Sequence, residues 1–386
     1  MKKVFWATFC VVIGFSLTGC HSGSSSMVRV VGSTPSDDSC YAKGVSAAYC
    51  GMIDDHLIMA GGSNFPYHPA EEGGAKKYYD AIYAASINRL GEVKNGRTCS
   101  LRWTQVAVLP EPMAYGVALT DSMGMIFVGG CNAQGGLDIC FRMARKGTTL
   151  SIYPLPPLPC PIDNMGGCLL NDRVYVVGGM ADGKPSTAMY ALDFDYDEWF
   201  ECASLPGQPR VEPVCASQSG KLFVWGGYVQ PLDSAGYVLR EECMVHTDGY
   251  CYDPSADKWS PVASPMDADG HILTLTGSTA ISWGEGEILV IGGAHKNVLL
   301  GGLRGDFPMP GYMQHEDEWY RLNRNILIYN VNSNSWRIAT ESDLSARTEA
   351  GLVALRSKRS SAVLLGGEYR PGVCSTEATL INLTNP

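Results

Sequence analysis

Six times along the chain, a short apolar run ends in two glycines. Leu57-Ile58-Met59-Ala60 leads to Gly61-Gly62, Met125-Ile126-Phe127-Val128 to Gly129-Gly130, and Val174-Tyr175-Val176-Val177 to Gly178-Gly179. Leu222-Phe223-Val224-Trp225 leads to Gly226-Gly227, Ile288-Leu289-Val290-Ile291 to Gly292-Gly293, and Ala362-Val363-Leu364-Leu365 to Gly366-Gly367. Runs this short, bounded by glycines, read as buried strands and not as helices. The glycine pair permits a sharp turn at φ values that a residue with a Cβ resists.

A second signal keeps step with the first. An aromatic or aliphatic residue precedes a Trp by seven positions at Leu192 and Trp199, Tyr252 and Trp259, and Tyr329 and Trp336. A proline follows at Pro206 and Pro265, and likewise at Pro110 after Trp103. Double glycine, aromatic, then Trp, at roughly fifty residues per unit, is the kelch pattern. Each unit is then a four-stranded blade, and a blade that cannot bury both faces alone must pack into a ring. The fold class expected is all-β, a six-bladed β-propeller of kelch-type repeats. The competing architecture, a β-sandwich with glycine-rich turns, does not require six registered copies. Blades are expected at about 44–110, 115–159, 164–206, 210–265 and 271–341, with the sixth beginning near Arg347. Too few strands follow Glu341 to complete that sixth blade, so Met27 to Val31 is expected to pair with Ala378 to Leu383 and close the ring. Insertions at Tyr228 to Gly249 and Ala294 to Arg324 interrupt blades four and five, and long loops in compact folds tend to carry function.

The N-terminus stands apart from the repeats. Lys2 and Lys3 precede an apolar stretch from Val4 to Ser16, and Leu17-Thr18-Gly19-Cys20 follows. The apolar stretch is short for a spanning helix. The arrangement resembles the lipobox of bacterial lipoproteins, which implies lipidation of Cys20. The expected organisation is a signal peptide at 1–19, a lipidated Cys and tether at 20–26, and the propeller at 27–386, held at the cell envelope through the lipid. The formal net charge of −10 argues against nucleic acid as partner and against electrostatic docking on anionic lipid. Of 14 cysteines, setting aside Cys10 and Cys20 leaves twelve. An even number in an exported chain permits disulfides, for example Cys131 with Cys140, Cys160 with Cys168, or Cys243 with Cys251. Free buried thiols used as small apolar residues are the equal alternative. No zinc-type spacing is present, and no metal or cofactor is expected.

In a propeller, the loops after the second strands and the segments entering the innermost strands meet around the central channel. The first set comprises Ser63-Asn64, Cys131-Asn132, Met180, Tyr228, Ala294-His295 and Glu368; the second comprises Tyr115, Asn164, Arg210, His271 and Arg347-Thr348-Glu349. These residues make a polar mouth suited to a small hydroxylated ligand, with a carboxylate for proton transfer and arginines for an anion.

Several segments resemble one family, that of N-acetylneuraminate epimerase (sialic acid mutarotase). They are Gly61-Gly62-Ser63-Asn64-Phe65-Pro66, Glu72-Gly73, Lys76-Lys77-Tyr78, Asp80-Ala81-Ile82-Tyr83 and Ala114-Tyr115-Gly116-Val117. Pro209-Arg210, Gly270-His271, Tyr320 to Tyr329, Gly367-Glu368 and Pro371-Gly372 extend the likeness over nearly the whole mature chain. With Arg210, His271 and Glu368 in its second half, the chain resembles the cyclically permuted branch of the family; permutation costs a ring of repeats little, because any blade junction can hold the termini. The resemblance implies interconversion of sugar-acid anomers by ring opening and closing, without metal or cofactor. It implies Glu368 as the catalytic base; the mouth positions Arg210, Arg347, His271, Tyr115 and Asn64, with Arg370 just after Glu368, are the candidate substrate contacts. It also places Cys374 where the family carries a catalytic arginine. A thiol cannot supply the bidentate, charge-assisted contact of a guanidinium, so Arg370, Arg347 or Arg210 would have to stand in.

Three functions fit these residues: a mutarotase for N-acetylneuraminate or a related sugar, a sugar-binding lipoprotein without turnover, and a kelch scaffold for protein partners. A sialidase is excluded by the lack of a Ser-x-Asp-x-Gly-x-Thr-Trp box. The polar mouth around Glu368 favours the first two.

Overall fold

The computed structural model describes residues 27–383 except 89, 91, 95, 96, 99, 148, 308–310 and 356–359. The expected signal segment and Cys20 therefore lie outside the described residues. Among the described residues the structure is almost wholly β, with a single α-helix, Lys296–Arg304.

Six four-stranded antiparallel sheets carry the chain. The first holds Tyr49–Ile53, His56–Ala60, Ala81–Ser86 and Thr104–Val108, and the second Val117–Thr120, Met125–Val128, Cys140–Lys146 and Thr149–Leu155. The third holds Gly166–Leu170, Arg173–Val177, Met189–Asp193 and Glu198–Cys202, and the fourth Val214–Gln218, Lys221–Trp225, Gly249–Asp253 and Lys258–Val262. The fifth holds Thr279–Trp283, Glu287–Ile291, Asn325–Asn330 and Ser335–Glu341. The sixth takes Gly351–Ala354, Ser361–Leu365 and Glu377–Asn382 from the C-terminal end of the chain, and its outer strand, Val28–Ser33, from the other end. There Val28 lies opposite Ile381 and Ser33 opposite Glu377, with a bulge between Val30 and Gly32. This is the terminal pairing expected from the strand shortage after Glu341. The first strand of each sheet touches that of the next, and the sixth touches the first.

The apolar runs are continuous because each second strand is covered on both faces. Side chains alternate along a strand. Leu57 and Met59 pack toward the sixth sheet with Val363, Leu365 and Leu380, while Ile58 and Ala60 pack toward the second with Met125, Phe127 and Phe141. The same division recurs at each junction, so the core is a series of intersheet clusters.

The glycine pairs and tryptophans make the junctions polar as well as apolar. The second glycines Gly62, Gly130, Gly179, Gly293 and Gly367 donate to Met113, Ile162, Arg210, Arg347 and Val45, carbonyls of the segment entering the following sheet, at 2.7–3.0 Å. Gly178 has φ 70°, and a Cβ there would stand 2.6 Å from the Arg210 carbonyl. The double glycine is thus a site of backbone approach between sheets as well as a turn. On the outer strands, the indole N–H of Trp199, Trp259 and Trp336 donates to Pro156, Ala203 and Ala263 of the preceding sheet's outer end. Trp103 does the same to Ser33 at 2.8 Å, tying the first sheet to the N-terminal strand of the sixth.

Candidate functional site

Just before each innermost strand stands a residue in the left-handed region: Ala47 (φ 52°), Tyr115 (61°), Asn164 (52°), Glu212 (55°), Gly277 (68°) and Glu349 (53°). Their backbones form a closed circle of hydrogen bonds. Tyr115 N–H donates to Ala47, Asn164 to Tyr115, Glu212 to Asn164, Gly277 to Glu212, Glu349 to Gly277 and Ala47 to Glu349, at 2.8–3.3 Å. Left-handed geometry costs a residue with a Cβ about 1 kcal/mol or more, and such strain concentrates at functional sites. All six residues line a central cavity of about 440 Å³ that continues along the innermost strands.

Two members of the circle are glutamates, and Glu368 joins them from the sixth sheet's glycine turn. Glu368 exchanges backbone hydrogen bonds with Thr348, at 2.8 and 3.0 Å. Its Oε1 accepts from Ser46 Oγ at 2.9 Å, and its Oε2 accepts from the Gly372 amide at 3.3 Å. All three glutamates are half-buried. Burial pushes Glu212 up to about 7, with the Glu368 charge adding to the effect. Glu349 is held well above the usual range by burial and then by Glu212 and Glu368. Glu368 is also raised by burial, but Ser46, Lys76 and the Gly372 amide oppose the rise. Asp163 beside them is raised by burial as well. Environments that separate neighbouring carboxyls in this way leave one protonated while another is ionised.

Tyr115 completes the mouth. Its hydroxyl accepts from Lys76 Nζ at 2.8 Å and from Ser63 Oγ at 3.3 Å, and burial, then the Glu368 charge, hold it protonated. Lys76 also lies over the Tyr115 ring at 4.6 Å and the Phe65 ring at 5.6 Å. Glu368 lies opposite Cys374 in a two-stranded hairpin, and burial pushes the Cys374 thiol far up, so it stays neutral.

The other expected contacts lie elsewhere. Arg210 and Arg347 are 1% exposed and committed to the scaffold. Arg210 forms a bidentate pair with Asp248 at 2.9 and 2.8 Å and donates to the Gly226 carbonyl. Arg347 donates to Glu377 at 2.9 Å, to Thr379 and to the Gly366 carbonyl. Each arginine braces a glycine turn, which removes it from the ligand role read from sequence. Arg370 donates to the His315 carbonyl at 2.6 Å and pairs with Asp317. His271 sits on an exposed turn beside Asp267. Asn64 is buried and serves the framework, donating to Cys40 and Gly44 carbonyls and accepting from Tyr79. Of the shortlist, Glu368 and Tyr115 come together.

Glu212, Glu349 and Lys76 were absent from that shortlist. Glu349 stood among the mouth positions without a role, and the signal for both glutamates lay in a repeat within the repeat: Arg210-Val211-Glu212 and Arg347-Thr348-Glu349 carry the same Arg-x-Glu. In both, the arginine is buried in the scaffold and the glutamate, two residues on, lines the cavity.

The two insertions pack together beside the mouth. Gln230 donates to the Leu303 carbonyl at 2.7 Å and Arg240 pairs with Asp306 at 2.8 Å. His315 stacks on Trp319 at 3.7 Å, and Tyr312 lies close enough to Glu212 and Glu368 to feel their charges. The eleven described cysteines are all free thiols, including the three pairs considered for bridges.

Comparison with known proteins adds a lineage. The chain is 30% identical over 237 residues to the N-acetylneuraminate epimerase of Haemophilus influenzae (strain 86-028NP), covering 58% of this chain and 57% of that protein. It is 27% identical over 252 residues to that of Salmonella arizonae, covering 61% and 59%. The alignments thus span less than two thirds of these relatives' length. A solved structure titled "Structure of YjhT" is 26% identical, covers 60% of this chain and 65% of its own, and has a TM-score of 0.48. A model of the N-acetylneuraminate epimerase family matches residues 155–386, more than half of the sequence. The chain belongs to the N-acetylneuraminate epimerase family.

Proposed function

We propose that the protein is a mutarotase interconverting the anomers of N-acetylneuraminate or a related sugar, built as a closed six-bladed kelch propeller of permuted blade order. The observation that carries this is the trio Glu212, Glu349 and Glu368: the first two line one cavity, the third is near enough to act on both, and their environments hold their proton affinities apart. Mutarotation needs a base for the anomeric hydroxyl and an acid for the ring oxygen. Glu368, whose ionised form is favoured by Ser46 and the Gly372 amide, takes the hydroxyl proton. Glu349, kept protonated, gives its proton to the ring oxygen as the bond from that oxygen to the anomeric carbon breaks. Rotation of the open keto form and the reverse transfers close the other anomer, restoring both groups. Family membership supports the same reaction, and the cyclic strand contacts support the closed ring.

The test follows freshly released α-anomer by NMR against its spontaneous equilibration. Wild type is expected to accelerate it. Glu368→Gln and Glu349→Gln should each remove about a hundred- to ten-thousand-fold, the usual range for general acid–base assistance. The neutral thiol of Cys374 opposite Glu368 favours a second reading, a sugar-binding protein without turnover. Binding without acceleration by wild type would select it.

The same reading puts the protein at the cell envelope, anchored by lipid on Cys20. The lipobox-like Leu17-Thr18-Gly19-Cys20 supports this. Cys20→Ala should leave the precursor uncleaved; normal processing and membrane retention of that variant would count against the anchor.

A further inference from the structure

A sugar acid brings a carboxylate to a mouth already crowded with carboxyls, so some cation must receive it. Arg210 and Arg347 are enclosed in the scaffold by their own acidic partners, and Arg370 is held by Asp317 and the His315 carbonyl. Cys374, opposite Glu368, offers a neutral thiol. Lys76 differs from the arginines. It forms no ion pair among the described residues, and its ammonium is exposed, steadied by the Tyr115 hydroxyl at 2.8 Å and by two aromatic faces. Tyr115 in turn lines the cavity and lies close to Glu368. An ammonium over aromatic rings is attracted to their faces, which narrows its position. The charge is also felt by Glu212, Glu349 and Glu368, which places it over the same trio.

Resting on the mutarotase reading, we propose that Lys76 is the specificity-determining residue of this site, the cation that receives the carboxylate of a sugar-acid substrate in place of the guanidinium missing at position 374. Lys76 reaches from the short strand pair of Ser63–Asn64 with Lys77–Tyr78, on the first sheet's glycine turn. Glu368 approaches from the sixth. The substrate carboxylate and the reacting hydroxyl are thereby gripped from two adjacent sheets, which fixes the ring between them. A single exposed ammonium gives a contact that weakens with salt.

The experiment compares N-acetylneuraminate with its methyl ester, which keeps the sugar and removes the charge. Equilibrium binding of each is titrated to wild type, Lys76→Met and Lys76→Arg, and anomer exchange is followed by NMR in the same samples. Wild type should bind the acid roughly tenfold or more tighter than the ester, the worth of one charge-assisted contact. Lys76→Met should erase that preference by weakening the acid alone, and Lys76→Arg should retain it. Because the Lys76 side chain is exposed, the variants should fold as wild type does. Equal binding of acid and ester by wild type overturns the proposal, as does a Lys76→Met loss that falls equally on both. Failure of wild type to accelerate exchange while the acid preference depends on Lys76 would sink the mutarotase reading and leave the Lys76 assignment standing.

Discussion

At the scale of single residues, the site is a set of proton affinities arranged by burial. Glu212 shows what that arrangement costs the fold. Its carboxyl is raised from 4.5 to about 7 in the folded chain, first by burial and then by Glu368. Between those values the folded state holds a proton that the unfolded state has released, so stability falls as pH rises through this window. Glu212→Gln removes the titration. Relative to wild type, the variant should be unchanged below about pH 4.5 and more stable above about pH 7, by up to about 3 kcal/mol and less where channel water screens the charge. Thermal unfolding of both proteins across pH 4–9 measures this; a difference independent of pH would show that Glu212 is not buried as a charge. Glu368 was legible in the sequence because it directly follows a glycine pair, where the repeat specifies its place. Arg210 and Arg347 misled for a physical reason. A charged residue in a polar segment reads as exposed, yet each is paired internally with an acid and with a glycine-turn carbonyl. Lys76 was named only within the family-like Lys76-Lys77-Tyr78 and given no role, because it lies outside the repeat register.

At the scale of elements, the glycine turn links fold and site. The role of Gly178 is to let the third sheet's turn approach the Arg210 carbonyl. The neighbouring Gly179 amide bonds that carbonyl at 2.7 Å, and Arg210 stands two residues before Glu212. Gly178→Ala must therefore either adopt a strained φ or push the entry segment outward. We expect a loss of about 1–3 kcal/mol in stability and, through Glu212, a shift in the alkaline limb of the activity profile. Ala at exposed Gly183, also at positive φ but with nothing near its missing Cβ, should disturb stability alone. Denaturant unfolding and pH–rate profiles of the two variants separate these effects; a Gly178→Ala profile identical to wild type would break the proposed link. The strands were readable from sequence because both faces are apolar and a glycine pair marks each end. The insertions were readable only as interruptions, since their packing against each other depends on contacts such as Gln230 to Leu303 that no periodicity announces.

At the scale of the whole molecule, two cycles close on themselves and a third set of contacts runs beside them. The innermost strands touch in order from first sheet to sixth and back. The left-handed residues bond from Ala47 around to Glu349. The tryptophan contacts run from sheet to sheet and reach Ser33. The seam of the ring is made by the two ends of the described chain, where the Asn382 amide donates to the Met27 carbonyl at 2.8 Å. If the cycles rather than the chain order hold the protein together, the covalent break can be moved. A chain joining residue 383 to residue 27 through a short Gly/Ser linker, and opened between Gly207 and Gln208, should fold. Gly207 is exposed, has φ 87° and has nothing near its missing Cβ, so new ends there disturb no packing. The relocated ends lie in a loop between the third and fourth sheets, while the sixth sheet gains a covalent link between its two outer strands. We expect a melting temperature within several degrees of the original and retained sugar binding. Deleting residues 27–33 instead should expose the edge of Glu377–Asn382 and remove the acceptor of Trp103, leaving a chain prone to edge-to-edge association. Light scattering and thermal melts of the two altered chains distinguish them. A permuted chain that fails to fold, or a truncated chain as stable and monodisperse as the parent, would mean that the seam does not close the ring.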